Sequence, residues 1–136
     1  MKQVTLITGA RNSGKTFCAK TMALAFENFI WINCRQIDLV CQPFIFSMVN
    51  AETDLIVFDD LTLENWPVIK SIILTDKIKV EKRGEKSFTI PTPKIIATLN
   101  FELHPTKKMR TDLIEVVKCA NHGFFEFKKS RNVYSK

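Results

Sequence analysis

Gly9-Ala10-Arg11-Asn12-Ser13-Gly14-Lys15-Thr16 follows the apolar run Val4-Thr5-Leu6-Ile7-Thr8 and leads into Phe17-Cys18-Ala19-Lys20-Thr21-Met22-Ala23-Leu24. These eight residues fit the phosphate-loop pattern G-x-x-x-x-G-K-[ST], and they lie between a strand-like and a helix-like segment as that pattern requires. In such a loop successive backbone N–H groups converge on one phosphate, and the glycines let the backbone approach it without Cβ clashes. The positive end of the following helix strengthens the attraction. Lys15 is expected to reach the β- and γ-phosphates as a mobile cation, and the Thr16 hydroxyl to ligate Mg²⁺. Gly9 through Thr16 are thus the candidate nucleotide-binding residues.

The 136 residues suffice for one domain, 1–136, with a core that needs no staples, and no linker or repeat interrupts them. Hydrophobic residues at 46% and charged residues at 25% exclude a disordered chain. No apolar run approaches spanning length and Met1-Lys2-Gln3 runs straight into the first strand, so an intracellular protein without a membrane partner is expected. Cys18, Cys34, Cys41 and Cys119 lack C-x-x-C spacing and read as reduced core thiols. Charge is divided unevenly. Residues 1–68 hold 5 Lys/Arg against 7 Asp/Glu, whereas residues 69–136 hold 15 against 7. The second half is therefore the candidate face for a polyanion.

Strand and helix patterns alternate along the chain. Strands are expected at 3–8, 29–33, 54–58, 94–99 and 123–127, and helices at 15–26, 43–49, 67–75 and 106–119. Phe17, Met22, Leu24 and Phe26 suit the sheet-facing side of the first helix, and Pro43 and Pro67 suit helix starts. Residues 77–82 and 86–90 alternate around Arg83-Gly84-Glu85 and read as a β-hairpin. The order predicts a three-layer α/β phosphate-loop fold with a mainly parallel five-stranded sheet and a protruding basic hairpin.

Two further motifs carry chemistry. Leu55-Ile56-Val57-Phe58-Asp59-Asp60 ends an apolar strand in two carboxylates. Phosphoryl transfer to water needs one carboxylate to hold hydrated Mg²⁺ and another group to activate the water, so Asp59 is assigned to the metal and Asp60 to the water. Alternatively, the pair merely opens a turn. Lys94-Ile95-Ile96-Ala97-Thr98-Leu99-Asn100 ends a second apolar strand in an amide. Asn100 could hold the lytic water or touch the γ-phosphate, or it could be a turn residue.

The ordered set of motifs resembles the helicase domain of superfamily three, the replicative helicases of small DNA viruses and some phages. The resemblance rests on Gly9–Thr16 as the A motif, Leu55–Asp60 as the B motif, Ile69-Lys70-Ser71 through Lys82-Arg83 as the B-prime region, and Ile95–Asn100 as the C motif. It implies an AAA-like ATPase that hydrolyses Mg-ATP, with Lys15, Asp60 and Asn100 catalytic and Thr16 and Asp59 at the metal. It also implies a homo-oligomeric ring, usually a hexamer, with sites between subunits, acting on single-stranded nucleic acid with DNA favoured over RNA. The hairpin before the C motif would grip the strand through Lys82, Arg83 and Lys86, with Lys77 and Lys79 as supporting charge.

This sequence departs from that pattern in two respects. The stretch Lys118-Cys119-Ala120-Asn121-His122-Gly123 lacks the arginine expected to reach a neighbour's γ-phosphate, leaving Arg110 or Lys118 as substitutes. The chain has no room for the additional domains such proteins usually carry, so it reads as a minimal form or as one piece of a larger protein. Two rival functions follow: a small phosphate-loop kinase using the hairpin as a lid, and a nucleotide-dependent assembly module with slow hydrolysis. His104 and His122 read as loop residues, Phe124, Phe125 and Phe127 as buried strand, and Lys128-Lys129-Ser130-Arg131 as a solvated end.

Overall fold

Branched residues fill the strands because their side chains fit a pleated, enclosed surface. Five such runs form a parallel sheet in the computed structural model, which describes residues 3–10, 13–35, 37–39, 45–103, 113–119 and 128–129. The elements are β1 (Val4–Thr8), α1 (Lys15–Ala23), β2 (Phe29–Asn33), β3 (Leu55–Leu61), α2 (Trp66–Thr75), β4 (Lys77–Val80), β5 (Phe88–Pro91), β6 (Lys94–Leu99), β7 (Ile114–Lys118) and β8 (Lys128–Lys129). The sheet order is β2-β3-β6-β1-β7-β8, and the two-residue β8 pairs antiparallel with β7. β4 and β5 form a separate antiparallel hairpin.

Successive residues of each central strand face different cores, which makes the fold three-layered. Ile7, Leu55, Val57, Ile96 and Val117 join Cys18, Ala19 and Ala23 of α1 on one face. Leu6, Ile56, Phe58, Ile95 and Ala97 join Ile69, Ile72 and Ile73 of α2 and Ile78 and Val80 of β4 on the other. Both faces being covered explains why the strands read as continuous apolar runs. The three-layer α/β phosphate-loop fold expected from the sequence is present, and so is the hairpin, which is anchored on the core through Ile78 and Val80.

Several expectations are corrected. The segment 106–119 is no helix throughout: Ile114–Lys118 is β7, parallel to β1, and residues 106–112 lie outside those described. Three β-branched residues in Ile114-Glu115-Val116-Val117 favour the strand, and its first four positions are buried. With this strand the described parallel strands number five; the strand expected over 123–127 lies outside the described residues, as do His104, His122, Arg110 and Cys41. Residues 45–48 form a turn where a helix was expected over 43–49. α1 stops at Ala23, and its buried side is the small trio Cys18, Ala19 and Ala23; Met22 and Phe26 pack against that core as expected, whereas Phe17 is 64% exposed and Leu24 82%. Small residues let the helix lie close to the sheet. Lys128–Lys129, the described part of the tail 128–131, pairs as a short strand with Val117 and Lys118, and Ser130 and Arg131 lie outside the described residues.

Candidate active site

Parallel strands bring the chemistry to one edge. The C-terminal ends of β1, β3 and β6 lie side by side, with Ile7 opposite Thr98 and Phe58 opposite Ala97, and ligands of open α/β sheets bind at this edge. The phosphate loop leaves β1 there, the carboxylate pair ends β3 there, and Asn100 follows β6 there. A cavity of about 610 Å³ opens between them, lined by Ser13, Gly14, Lys15, Thr16, Phe17, Arg35, Asp60 and Asn100.

Glycine is required at both ends of the loop. Gly14 caps α1 at φ 90 with no side-chain cap and no acid in the first turn, so the helix's opening N–H groups remain available to an anion. Gly9 has φ 149, and a Cβ there would sit 2.6 Å from Ser13 Oγ. The Lys15 ammonium folds back onto the loop, donating to the carbonyl oxygens of Gly9 at 2.9 Å and Ala10 at 3.3 Å. Arg11 and Asn12 lie outside the described residues.

The carboxylates are held by hydroxyls. Thr16 Oγ1 donates to Asp59 Oδ1 at 3.0 Å, joining the loop to β3 across 43 residues of sequence. Thr98 Oγ1 donates to the same oxygen at 2.8 Å and accepts the Asp60 N–H at 2.7 Å. Asp59 is 7% exposed, whereas the Asp60 side chain is 31% exposed and faces the cavity, 3.7 Å from Arg35 Nε. The Asn100 N–H donates to Leu61 O at 2.8 Å, tying the tip of β6 to the tip of β3. Hard oxygen donors from Thr16 and Asp59, next to an anion-ready helix end, suit Mg²⁺, which takes one or two carboxylates and completes its shell with phosphate and water. Among the described residues no group of three or more His, Cys, Asp or Glu forms an all-protein metal cage.

Below the site the thiols are inert. Burial, then the charges of Asp59 and Asp60, push the Cys34 thiol up to about 12. Burial, then Cys119, pushes Cys18 up to about 12 as well. Cys18, Cys34 and Cys119 are free and buried, as expected of core thiols.

Thr98 and Arg35 were missed as contributors. Thr98 is the one hydroxyl inside the apolar run Ile95–Leu99, a signal that pointed to it. Arg35 carries no motif; it reaches Asp60 because Asn33 at the end of β2 lies beside Asp59.

The basic hairpin stands apart from this cavity. Glu85 N–H donates to Lys82 O at 3.0 Å across a turn in which Gly84 takes φ 77. Arg83 and Lys86 are exposed and Lys82 is half-buried. On β4, Lys77 and Lys79 face solvent while Ile78 and Val80 point into the core, and Lys79 pairs with Glu81 at 3.0 Å.

No helix among the described residues is long and apolar enough to cross a membrane. No protein-family model and no curated protein matches the sequence. Solved structures do match in fold. The C-terminal region of NrS-1 in its apo A form shares 15% identity at a TM-score of 0.59 over 87% of this chain and 29% of its own. JCV helicase bound to an acetamide compound shares 19% identity at a TM-score of 0.56 over 86% of this chain and 34% of its own. The chain thus shares its fold with a part of each of these proteins and spans about a third of the length of the structures it resembles.

Proposed function

We propose that the chain is the Mg-ATP-dependent motor domain of a superfamily-three type helicase or translocase, working on nucleic acid in viral or phage-like DNA replication. The observation that carries this reading is the contact of Thr16 with Asp59 at 3.0 Å, beside Lys15, Asp60 and Asn100 around one cavity. Loop amides from Gly9 to Thr16 would bind the phosphates, with Lys15 leaving its carbonyl contacts to meet them. Bound at Thr16 and Asp59, Mg²⁺ would neutralise charge on the β- and γ-phosphates. Asp60 would accept the proton of the attacking water, and Asn100 would orient that water or the γ-phosphate. The hairpin cations Lys82, Arg83 and Lys86 would hold the nucleic-acid backbone, single-stranded DNA before RNA.

A ring of like subunits, a hexamer as is usual in the family it resembles, would complete each site. Lys118 is exposed at the end of β7, beside Thr8 and hence at the edge that carries the phosphate loop. It, or Arg110, would supply the trans-acting cation.

The test is the ATPase rate with and without single-stranded DNA over a range of protein concentrations. Phosphate release that DNA stimulates, at a specific rate rising with concentration, supports a motor with shared sites. Transfer of the γ-phosphoryl to a small acceptor, with no DNA effect, would favour a kinase instead.

A further inference from the structure

Asp59 and Asp60 share a single partner on the neighbouring strand. Phe58 pairs with Ala97 and Leu61 with Leu99, so these two residues of β3 occupy the rung that Thr98 alone occupies on β6. Such a β-bulge is rare between parallel strands, and bulges beside functional sites re-aim side chains. Regular pleating would send adjacent carboxylates to opposite faces of the sheet. Asp60 instead takes φ 58, a left-handed conformation that non-glycine residues keep only with support.

Thr98 provides that support on both sides of the bulge. Its hydroxyl accepts the Asp60 N–H at 2.7 Å and donates its one proton to Asp59 Oδ1 at 2.8 Å. At 1% exposure, neither bond competes with solvent. The Thr16 hydroxyl donates to the same Asp59 oxygen. If Thr16 turns to a metal, Thr98 remains as the hydroxyl holding that oxygen.

We propose that Thr98 is the positioning residue of the carboxylate pair: one side chain sets the left-handed backbone of Asp60, whose carboxylate lines the cavity, and the rotamer of Asp59, whose carboxylate meets Thr16 at the cavity wall. Its effect on turnover rests on the ATPase reading above; its effect on the bulge does not.

Thr98→Val keeps the volume and the branched Cβ but removes both bonds. In that variant kcat for ATP is expected to fall about 10- to 100-fold, as for other groups that orient ligating side chains, while KM for ATP changes less than about threefold. Thr98→Ser is expected to restore kcat. In the nucleotide-free protein, hydrogen exchange at the Asp60 amide is expected to accelerate at least about tenfold in Thr98→Val and to stay slow in Thr98→Ser. Wild-type exchange at Asp60 together with wild-type kcat in Thr98→Val overturns the proposal. If the wild-type protein hydrolyses no ATP, the ATPase reading fails, and Asp60 exchange with Mg²⁺-dependent nucleotide affinity still decides the role of Thr98. Should Thr98→Val not fold, Thr98→Cys, with a weaker donor and acceptor, carries the same comparison, and unchanged exchange and turnover there overturn it.

Discussion

Lys15 Nζ lies 2.9 Å from the carbonyl oxygen of Gly9, so the cation of the phosphate loop is held by the loop's own backbone. An incoming phosphate offers a stronger, charge-assisted partner and should draw the ammonium away. Lys15→Ala is therefore expected to abolish nearly all ATP hydrolysis while unfolding free energy shifts by no more than about 1 kcal/mol, because the side chain lines a cavity and does not fill a core. Parallel phosphate-release and chemical-denaturation measurements check this; undiminished hydrolysis would overturn the assignment of the loop.

The two carboxylates should separate by phenotype. Asp60→Asn keeps the left-handed backbone, which asparagine tolerates, yet cannot accept the proton of water; Mg-ATP binding should persist while kcat falls about 100-fold or more. Asp59→Asn should instead weaken Mg²⁺-dependent nucleotide binding. Titrations of nucleotide with and without Mg²⁺, beside steady-state rates, distinguish the two. Exchanged phenotypes would reverse the roles.

Replacing Lys82, Arg83 and Lys86 together by alanine should remove most single-stranded DNA binding whatever the base sequence. Each phosphate left without its cation lowers the slope of log affinity against log salt by about 0.7. Exposed Arg83 and Lys86 should account for most of the change, and half-buried Lys82 for less. Affinity for ATP should stay constant, since none of the three lines the cavity at the phosphate loop. Normal DNA binding with impaired nucleotide binding would make the hairpin a lid and favour a kinase.

Stability should depend on pH through Lys94. Burial pushes its pKa from 10.5 down to about 8, an effect that Glu115 partly offsets; its ammonium donates to Thr5 Oγ1 at 3.1 Å, and Thr5 in turn donates to Glu115 Oε1 at 3.0 Å. Below about pH 8 the folded state holds a buried charge that the unfolded state solvates freely. Between about 8 and 10.5 the folded state loses that proton first, so the contribution of Lys94 to stability should rise with pH over that window. The buried thiols Cys18 and Cys34 contribute in the opposite sense, since their raised pKa values lower stability as pH rises above about 9. Denaturant unfolding at pH 7.5, 8.5 and 9.5, values chosen within about that range, should show the wild type gaining stability relative to Lys94→Met as pH rises, the thiols acting equally in both. Equal slopes would refute the buried charge.

Much of the site was legible because its parts are local. A phosphate loop is eight consecutive residues whose glycines, lysine and threonine act through nearby backbone, and an apolar run ending in Asp59-Asp60 or Asn100 announces a buried strand with a polar tip. The hairpin was legible for the same reason, through alternation around Gly84. Residues 114–118 were misread because a short β-branched run looks alike in a helix and a strand until a neighbour is known; pairing with β1 on one side decided it.

The sequence by itself determined which chemical groups end which strands, since apolar runs, glycines and terminal polar residues are written in adjacent positions. Only the tertiary structure decided how those groups meet. The order β3-β6-β1 sets the carboxylates beside the phosphate loop, the bulge gives Asp59 and Asp60 one shared partner in Thr98, and the neighbouring ends of β2 and β3 bring Arg35 to Asp60. These relationships are hydrogen bonds and strand registers between residues tens of positions apart, fixed by which strands lie adjacent, and no local pattern encodes that adjacency.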